Sequence, residues 1–498
     1  MTGMLRAGFG LAVVLALTSG AALAQQVTTK QYEDGGFYEG SFKDGRQHGF
    51  GTYRTTDGYE YAGNWVDGVI EGEGRARFPN GSVYEGSFVA GQPQGKGRIV
   101  FADGASYEGD WVAGEMTGEG IAVYANGTRY TGSFVNAVHN GVGEMQDADG
   151  YIYSGDWVMG VKEGNGRITY ADGSIYEGQM LGGQREGQGK LTTPDGMVYD
   201  GSWRAGQMSG AGSLVQPGGD IFEGTFLDGK RHGTGTVTYA NGDSYEGGFV
   251  DDRRDGQGSF RGADGYIYEG SWVEGRIEGD GRVVYPDGTI YEGSFVADQP
   301  DGQGRITYPD GSSYEGGWAG GIIEGRGVAS YANGMIYEGE FLAGRNHGQG
   351  RMSYPDGYVY EGAWAGGLRH GEGRAVYADG SIYEGNFVHG LREGKGVLTT
   401  PAGYRYEGDW VAGEAEGQGV ASYATGDVYE GGFVAGKRQG RGVMLYASGG
   451  VIDAEWRADL PLEATPEAPA ADPAASAPAE PAAAEPTADT PTGPAPAN

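Results

Sequence analysis

Apolar and polar residues alternate along this chain in short runs that are separated by glycine-containing turns. In segment 291–295, Tyr-Glu-Gly-Ser-Phe, the tyrosine, glycine and phenylalanine fall on one face of an extended strand, and the glutamate and serine fall on the other. Segment 281–285, Gly-Arg-Val-Val-Tyr, alternates in the same way, and Pro-Asp-Gly at 286–288 suits a type I turn closed by a left-handed glycine. The pattern predicts pairs of short antiparallel strands with one aromatic face and one polar face.

This hairpin pattern recurs every 23 residues without an insertion, so that an aromatic anchor opens each of 18 units between Tyr38 and Tyr429. A position within a unit is named by its offset, the number of residues after the anchor. Glycine fills offsets 2, 11, 13 and 20 in all 18 units, and Ile452 opens a degenerate nineteenth unit. Self-similarity at a short fixed period is typical of stacked repeats, in which each unit buries its apolar face against its neighbours. The sequence therefore predicts an all-β fold, an elongated, twisted single-sheet ribbon of about 18 tandem 23-residue β-hairpin repeats.

All nine tryptophans occupy offset 4, and Met180 is the only residue at this offset of the 18 units that is not aromatic. Two interpretations of this stripe stay open, because the rings can form the core between stacked hairpins or a platform that binds a ligand. The glycine at offset 2 is expected to make room for a ring from the next strand. The candidate core or binding residues are Trp65, Trp111, Trp157, Trp203, Trp272, Trp318, Trp364 and Trp410.

A longer period divides the array. Leu-Thr-Thr-Pro at 191–194 returns at 398–401, which is 207 residues or nine units further on. We therefore expect two tandem blocks of nine repeats. The first block spans 25–244 and is preceded by a half-repeat, and the second spans 245–460 and includes the degenerate capping repeat.

The two ends of the chain differ from the repeat in composition. Residues 1–24 combine Arg6 with an apolar stretch and a small-x-small site before Gln25, which predicts a secretory signal peptide. Residues 461–498 hold 10 prolines, 14 alanines, six acids and no base, which predicts a disordered, extended Pro/Ala-rich acidic tail. The mature protein is therefore expected to be exported, to the periplasm or the extracellular side of the cell envelope.

Charge and the absence of cysteine narrow the possible functions. The chain has 35 Lys and Arg against 68 Asp and Glu, and its formal net charge of −33 repels nucleic-acid phosphate and anionic lipid. Without cysteine there is no thiolate nucleophile and no Cys-type zinc or iron–sulfur site. We therefore expect no enzyme activity, no cofactor and no metal site. Four histidines at offset 10 are interpreted as polar loop residues rather than zinc ligands, and these are His48, His232, His347 and His370.

The motif Tyr-Glu-Gly-x-Phe/Trp followed by x-x-Gly-x-x-x-Gly-x-Gly, at a period of 23 residues, resembles the MORN repeat family. Unit 222–244, which contains Lys-Arg-His-Gly-Thr-Gly at 230–235, is close to the family pattern. The resemblance covers residues 25–456. It implies twisted single-sheet ribbons of β-hairpins with an aromatic groove, and a role in scaffolding, protein binding or membrane association.

These features together predict a non-enzymatic binding or scaffold protein of the cell envelope, which uses its elongated aromatic face for protein–protein interaction. Protein partners are expected and nucleic acid is not, and the net charge disfavours direct binding to anionic membranes. Two alternatives stay open, an envelope glycan-binding protein and a peripheral membrane or lipid-associating protein. A glycan-binding protein should expose its tryptophan planes, whereas a protein scaffold should pack them inward.

The three-residue turn also predicts the register between neighbouring units. It places offset 14 opposite offset 1 of the following unit, on the face away from the aromatic residues. Each basic residue at offset 14 then faces an acid ten positions further along the chain. The eight predicted pairs are Arg75–Glu85, Arg98–Glu108, Arg167–Glu177, Lys190–Asp200, Arg282–Glu292, Arg305–Glu315, Arg351–Glu361 and Arg374–Glu384.

Overall fold

The computed structural model describes residues 27–462, and these residues contain 39 β-strands and no helix. The all-β fold predicted from the repeat is thereby confirmed. The predicted signal peptide and the part of the predicted tail beyond Leu462 lie outside the described residues. The described residues form two compact bodies, 27–207 and 208–462. The expected division into sequence blocks at 244/245 stays a prediction.

Each body consists of strands of seven and nine residues in alternation, apart from short strands at the two ends of the described chain. The strands of the first body are β1 (Thr28–Gln31), β2 (Phe37–Lys43), β3 (Arg46–Arg54), β4 (Glu60–Val66), β5 (Val69–Arg77), β6 (Val83–Val89), β7 (Gln92–Val100), β8 (Ser106–Val112), β9 (Glu115–Val123), β10 (Arg129–Val135), β11 (Val138–Gln146), β12 (Ile152–Val158), β13 (Val161–Thr169), β14 (Ile175–Leu181), β15 (Gln184–Thr192) and β16 (Val198–Arg204).

The second body begins with a strand whose first residue, Gln207, is the last residue of the first body. Its strands are β17 (Gln207–Val215), β18 (Ile221–Leu227), β19 (Lys230–Thr238), β20 (Ser244–Val250), β21 (Arg253–Arg261), β22 (Ile267–Val273), β23 (Arg276–Val284), β24 (Ile290–Val296), β25 (Gln299–Thr307), β26 (Ser313–Ala319), β27 (Ile322–Ser330), β28 (Ile336–Leu342), β29 (Arg345–Ser353), β30 (Val359–Ala365), β31 (Leu368–Val376), β32 (Ile382–Val388), β33 (Leu391–Thr399), β34 (Arg405–Val411), β35 (Glu414–Ser422), β36 (Val428–Val434), β37 (Lys437–Leu445), β38 (Val451–Arg457) and β39 (Leu460–Pro461).

Within each body, every strand pairs antiparallel with the strand that follows it in the chain. In the second body, for example, β22 pairs with β23 inside one hairpin, and β23 pairs with β24 of the next unit. Burial follows the predicted alternation, since Tyr268 and Trp272 are 0 % and 5 % exposed whereas Glu269 between them is exposed. The core therefore lies on the aromatic face of each sheet.

The turn between neighbouring units has the predicted three-residue form. The amide of Tyr285 donates to the carbonyl oxygen of Thr289 at 2.8 Å, and the amide of Gly288 donates to the carbonyl oxygen of Tyr285 at 2.9 Å. Gly288 has φ +89°, the left-handed conformation that glycine adopts without strain. Proline, aspartate and glycine thus fill the three loop positions for the reasons that the sequence suggested.

The turn inside each hairpin is tighter and was not predicted. Val273 and Arg276 pair directly, so only Glu274 and Gly275 form the loop. Both loop residues have positive φ, 52° and 90°, which is the type I′ turn that matches the natural twist of a two-stranded ribbon.

Each hairpin also contains a register shift next to this turn. Gly270 pairs with Gly281, but Trp272 pairs with Ile277, so the two strands fall out of step between the glycine and the tryptophan. Such a bulge bends a strand and increases its local twist. The same shift recurs from hairpin to hairpin, and it therefore contributes curvature at every repeat.

The predicted register between units is confirmed. Arg282 lies opposite Glu292, with Nε 3.2 Å from Oε1, and both side chains point to the face away from the aromatic rings. The other seven pairs have the same strand partners as predicted. Two of them, Arg75–Glu85 and Arg167–Glu177, approach to 2.9 Å.

A double-mutant cycle on Arg282→Gln and Glu292→Gln is expected to give a coupling energy of only about 0.2–0.5 kcal/mol. The reason is exposure, since the two side chains are 40 % and 58 % accessible and water screens their attraction. Hydrogen exchange of the β23 and β24 amides measures the local free energy of opening in each variant. A coupling energy above about 1 kcal/mol would show that the pair stabilises the sheet and does more than set its register.

Candidate functional site

The eight candidate tryptophans lie in the cores of the two bodies. Each indole packs edge-on between two anchor rings, as Trp272 does with Tyr268 at 5.2 Å and Tyr245 at 5.4 Å between ring centroids. Rings with this little exposure offer a partner almost no surface. In the first body, Trp65, Trp111, Trp157 and Trp203 are 6 %, 5 %, 3 % and 4 % exposed, and in the second, Trp272, Trp318, Trp364 and Trp410 are 5 %, 5 %, 5 % and 3 % exposed.

The indole N–H groups explain what tryptophan adds to phenylalanine at this offset. Trp203 Nε1 donates to the carbonyl oxygen of Gly189 at 2.8 Å, and this glycine belongs to the preceding unit. The same bond joins the indole to the preceding unit at six of the other seven positions. The exception is Trp272, whose Nε1 is buried without a hydrogen-bond partner. The tryptophans therefore connect neighbouring hairpins as well as filling space.

The anchor tyrosines cover the paired glycines. The Tyr291 ring lies over Gly293 and Gly304, where an added Cβ would come within 2.6 Å and 2.2 Å of the phenol oxygen. The phenol O–H donates to the carbonyl oxygen of Ser294 at 3.0 Å. The ring that needs the glycine at offset 2 is thus the anchor of the same unit. The expectation that it comes from the next strand was wrong, because each anchor folds back over its own hairpin.

A row of cations that the sequence did not predict lies on the aromatic face. They lie at offset 9, where the register shift pairs them with the offset-4 residue of the same hairpin. Guanidinium groups lie over the indoles, with Arg185 4.1 Å from the Trp203 ring centroid and Arg392 4.3 Å from that of Trp410. Such cation–π contacts stabilise a cation that has been withdrawn from water. The offset-9 cations are Lys162 and Arg185 in the first body, and Arg231, Arg254, Arg369, Arg392 and Arg438 in the second.

Most of these arginines also bond the tight turn of the following unit. Arg185 Nη2 donates to the carbonyl oxygen of Gly206 at 2.7 Å, and Arg369 Nη2 donates to that of Gly390 at 2.6 Å. The sequence does contain a pattern that places them on the aromatic face. Offsets 9, 13 and 15 are separated by even numbers of residues, so their side chains point to the same face of a strand. Within one unit this pattern concerns a single charged residue and is therefore weak. The charges form a row only when the units stack.

Two adjacent arginines of the second body lie among tyrosines. Arg369 donates to the hydroxyl of Tyr358, whose ring is 5.3 Å from that of Tyr377. Burial raises the pKa of Tyr358 to about 12, and Arg369 opposes that rise. Burial also lowers the pKa of Arg392, which is 6 % exposed. We name this region the tyrosine–arginine surface. Its partly exposed residues are Tyr354, Arg369, Tyr404 and Tyr423, and Tyr358, Tyr377 and Arg392 are buried beneath them.

The open concave surface lies on the opposite face. In the second body a groove of about 1020 Å³ runs over four consecutive units. Its floor is glycine backbone, and its sides carry the offset-1 glutamates Glu361, Glu384, Glu407 and Glu430. A groove of about 610 Å³ occupies the same face of the first body, and Glu85, Glu108 and Glu119 are among its lining residues. The backbone of these glycines is uncovered on the glutamate face, because the anchor ring covers it only on the aromatic face.

The offset-10 side chains have a structural role in the loops. Glu278 accepts a hydrogen bond from the amide of Ala297, at 2.7 Å, in the tight turn of the next unit. His48 occupies the same position and its Nδ1 accepts from the amide of Asp67 at 3.4 Å. Among residues 27–462 no group of three or more His, Cys, Asp and Glu side chains has the arrangement of a metal site. No helix of the described part is long and apolar enough to cross a membrane.

Comparison with known proteins identifies the repeat. The family model of the MORN repeat matches 18 segments, which begin with 38–58 and 61–83 and end with 406–428 and 429–451. No curated protein matches the chain.

Three similar solved structures have low scores. The SAS-4 (dCPAP) TCP domain of Drosophila melanogaster, in complex with a proline-rich motif of Ana2 (dSTIL), is 15 % identical, covers 42 % of this chain and 96 % of that chain, and has a TM-score of 0.21. The TCP10 domain of Danio rerio CPAP is 15 % identical, covers 57 % and 95 %, and scores 0.16. A streptogramin B lyase is 12 % identical, covers 59 % and 91 %, and scores 0.11. Scores of this size carry no functional argument.

Proposed function

The chain belongs to the MORN repeat family, and from this premise we propose that it is a non-enzymatic binding and scaffold protein of the cell envelope. We further propose that it holds a protein partner in the groove on the glutamate face of the second body. The observation that supports this proposal is the groove itself, which repeats one set of lining positions, offsets 1, 2, 12, 13 and 14, in three consecutive units. A repeated lining suits an elongated partner, since the same contact can be made several times along one segment.

The groove differs from the aromatic face in what it offers a partner. Its floor presents backbone at Gly385, Gly396 and Gly408, and its sides present exposed carboxylates. The aromatic rings, by contrast, are already packed against one another. Binding through the groove therefore needs no rearrangement of the core, whereas binding through the tryptophan stripe does. A glycan-binding role gains no support from rings that are 3–6 % exposed.

The charge of the groove suggests the chemistry of the partner. Glu384 lies between Arg374 and Val397, and Glu407 lies between Val397 and Val420 on the neighbouring strands. The basic offset-14 residues that accompany the glutamates earlier in the array are therefore replaced by valine at Val397 and Val420. Arg374 and Lys395 also line the groove, and its five glutamates outnumber these two bases. A segment that carries Lys or Arg, together with backbone amides that can bond the groove, is the complementary partner.

The test compares two triple variants of the mature chain, 25–498, on envelope proteins fractionated by charge. Glu384→Gln, Glu407→Gln and Glu430→Gln together remove three carboxylates from the groove. The matched control, Glu115→Gln, Glu274→Gln and Glu414→Gln, removes three exposed glutamates close to the tight turns. We expect the groove variant to lose at least tenfold in affinity for the proteins that the unchanged chain retains, and the control to retain them.

Equal retention by both variants would contradict a partner site in the groove. The envelope assignment has a separate test, because it depends on residues 1–24 alone. Cell fractionation should find the full chain outside the cytoplasm and a chain without residues 1–24 inside it. Recovery of the full chain from the cytoplasm would overturn the assignment and leave the groove test untouched.

We expect the mature chain not to sediment with anionic liposomes at physiological ionic strength. Its formal net charge of −33 repels an anionic surface, and salt at physiological ionic strength screens this repulsion beyond about 8 Å. On the glutamate face the offset-14 bases lie opposite acids, so they form no basic patch that could offset the repulsion. Sedimentation with vesicles that contain phosphatidylserine, compared with neutral vesicles, measures this directly. Salt-sensitive binding to the anionic vesicles alone would favour the membrane-associated alternative.

A further inference from the structure

We propose that residues 463–498 of this chain bind to the tyrosine–arginine surface of the second body. This surface and the glutamate groove lie on opposite faces of the sheet, so the inference does not depend on the proposed function. It assigns an occupant to a face that the function leaves unused. Four independent features support it, namely ring chemistry, charge, spacing and reach.

The first feature is the match between rings and prolines. Tyr354 and Tyr358 have ring centroids 5.0 Å apart, and Tyr404 and Tyr423 have centroids 5.6 Å apart. The terminal segment holds nine prolines among 36 residues. Proline-rich segments favour the extended polyproline II helix, which docks on surfaces lined by aromatic rings at a low cost in conformational entropy. Tyr354, Tyr404 and Tyr423 are only partly buried and leave ring surface for such contacts.

The second feature is charge. At the core-face offsets 0, 2, 4, 9, 13, 15, 17 and 21, the four units 337–428 hold two bases, Arg369 and Arg392, and one acid, Asp427. The terminal segment holds acids and no base, and is the reverse of this surface in charge. Opposite charges on two parts of one chain raise the population of their contact, most strongly at low salt. The acids of the segment are Glu463, Glu467, Asp472, Glu480, Glu485 and Asp489.

The third feature is spacing. One hairpin unit occupies two strands, which advances the sheet by about 9.6 Å. One turn of polyproline II takes three residues and advances about 9.3 Å. A polyproline II segment that runs across the strands therefore presents the same side to each successive unit. Tyr354 and Tyr423 hold the same offset three units apart, so both fit this period, and between them the offset is filled by the buried Tyr377 and by Thr400.

The fourth feature is reach. The described chain ends at Leu462, directly after Pro461, which pairs with Trp456 on the aromatic face of β38. Crossing a strand of seven residues takes about 23 Å, or about eight residues of extended segment. The remaining 28 residues span on the order of 87 Å. Tyr354 lies only about four and a half units from the last anchor position, or about 43 Å along the stack. The segment is thus long enough to cover the whole surface.

The absence of native cysteine allows a direct distance measurement on the full chain. Spin labels are placed at Ser476→Cys in the terminal segment and at Ala424→Cys, an exposed turn residue next to Tyr423. A second pair joins Ser476→Cys with Ala378→Cys, which is the same turn position two units earlier. We expect a narrow distance distribution for each pair, with means that differ by at most about 19 Å, the separation of the two reference sites.

Tail variants give a control that cannot unfold the sheet. Glu467→Gln, Asp472→Asn and Glu480→Gln together should broaden both distributions, and so should 1 M salt. On the sheet, Arg369→Gln should broaden them, whereas Arg326→Gln should not, because Arg326 lies on the opposite face.

Two results would overturn the proposal. The first is a broad distribution in the unchanged chain that the tail variants leave the same. The second is a narrow peak that appears only when chains labelled at Ser476 alone are mixed with chains labelled at Ala424 alone, since the segment would then bind a second copy.

Discussion

Replacing Trp272 by alanine is expected to destabilise its part of the second body by about 3–5 kcal/mol, the usual cost of truncating a large buried aromatic side chain. The ring is 5 % exposed and packs between Tyr245 and Tyr268, and the guanidinium carbon of Arg254 lies 4.7 Å from its centroid. Alanine leaves a cavity between two units and removes the surface on which that cation lies. Because stacked repeats open locally, hydrogen exchange in β21–β23 is a better measure than a single melting temperature.

Trp272→Phe is the matched control. Phenylalanine occupies offset 4 in many other units, and Trp272 Nε1 has no hydrogen-bond partner to lose. The same change at Trp318 removes a 3.2 Å bond to the carbonyl oxygen of Gly304, so Trp318→Phe should cost about 1 kcal/mol more than Trp272→Phe. A loss below about 1 kcal/mol for Trp272→Ala would mean that the ring is a surface platform and that the stripe binds ligand.

The hairpins and their register could be predicted from the sequence because the responsible interactions are local. Pro-Asp-Gly at 286–288 fixes a three-residue loop through the backbone preferences of those residues alone. Once the loop length is known, pairing follows by counting, and the complementary charges of Arg282 and Glu292 provide an independent check. The prediction made for one hairpin then applies to all the others, because a repeat without insertions has the same geometry in every unit.

Which face is open to a partner could not be predicted in this way. Alternation places Trp272 and Glu269 on opposite sides of a strand but does not say which side the sheet leaves concave. That depends on the bulge between Gly270 and Trp272 and on the type I′ turn at Glu274, and neither has a period-2 signature. The sequence favoured the aromatic face as the contact surface. In the structure those rings pack against one another, and the groove lies over the glutamates.

The offset-9 arginines show a second limit. Read along the chain, Arg369 is one charge in a unit of mixed charge, which also holds Arg374 and three acids. Stacking places the offset-1 acids and the offset-14 bases in paired rows on one face, and it leaves the offset-9 cations in a row on the other. Net charge therefore describes the long-range field of this protein but conceals the row of cations on its aromatic face.

Gly293→Ala is expected to be among the most damaging single changes, with a local cost of about 3 kcal/mol, at the upper end of what overpacking usually produces. An added Cβ would lie 2.5 Å from Gly304 Cα and 2.6 Å from the carbonyl oxygen of Gln303. Both are backbone atoms of the paired strand, so neither can move without separating β24 from β25. The Tyr291 phenol oxygen, also 2.6 Å away, blocks the remaining space. Hydrogen exchange of the β24 and β25 amides, compared with strands several units away, measures the loss.

Gly218→Ala provides the comparison that isolates this close approach. Gly218 lies in an exposed turn of the second body, has no heavy atom within 4 Å of an added Cβ, and does not have the positive φ that would strain alanine. Alanine there restricts the unfolded chain, so the change should be neutral or slightly stabilising, within about 0.5 kcal/mol. The two substitutions are chemically identical, and their difference therefore reports only what surrounds each site. If both were equally mild, the anchor ring could not lie as close to the paired glycines as it does here, and the reason for glycine at offsets 2 and 13 of every unit would have to be sought elsewhere.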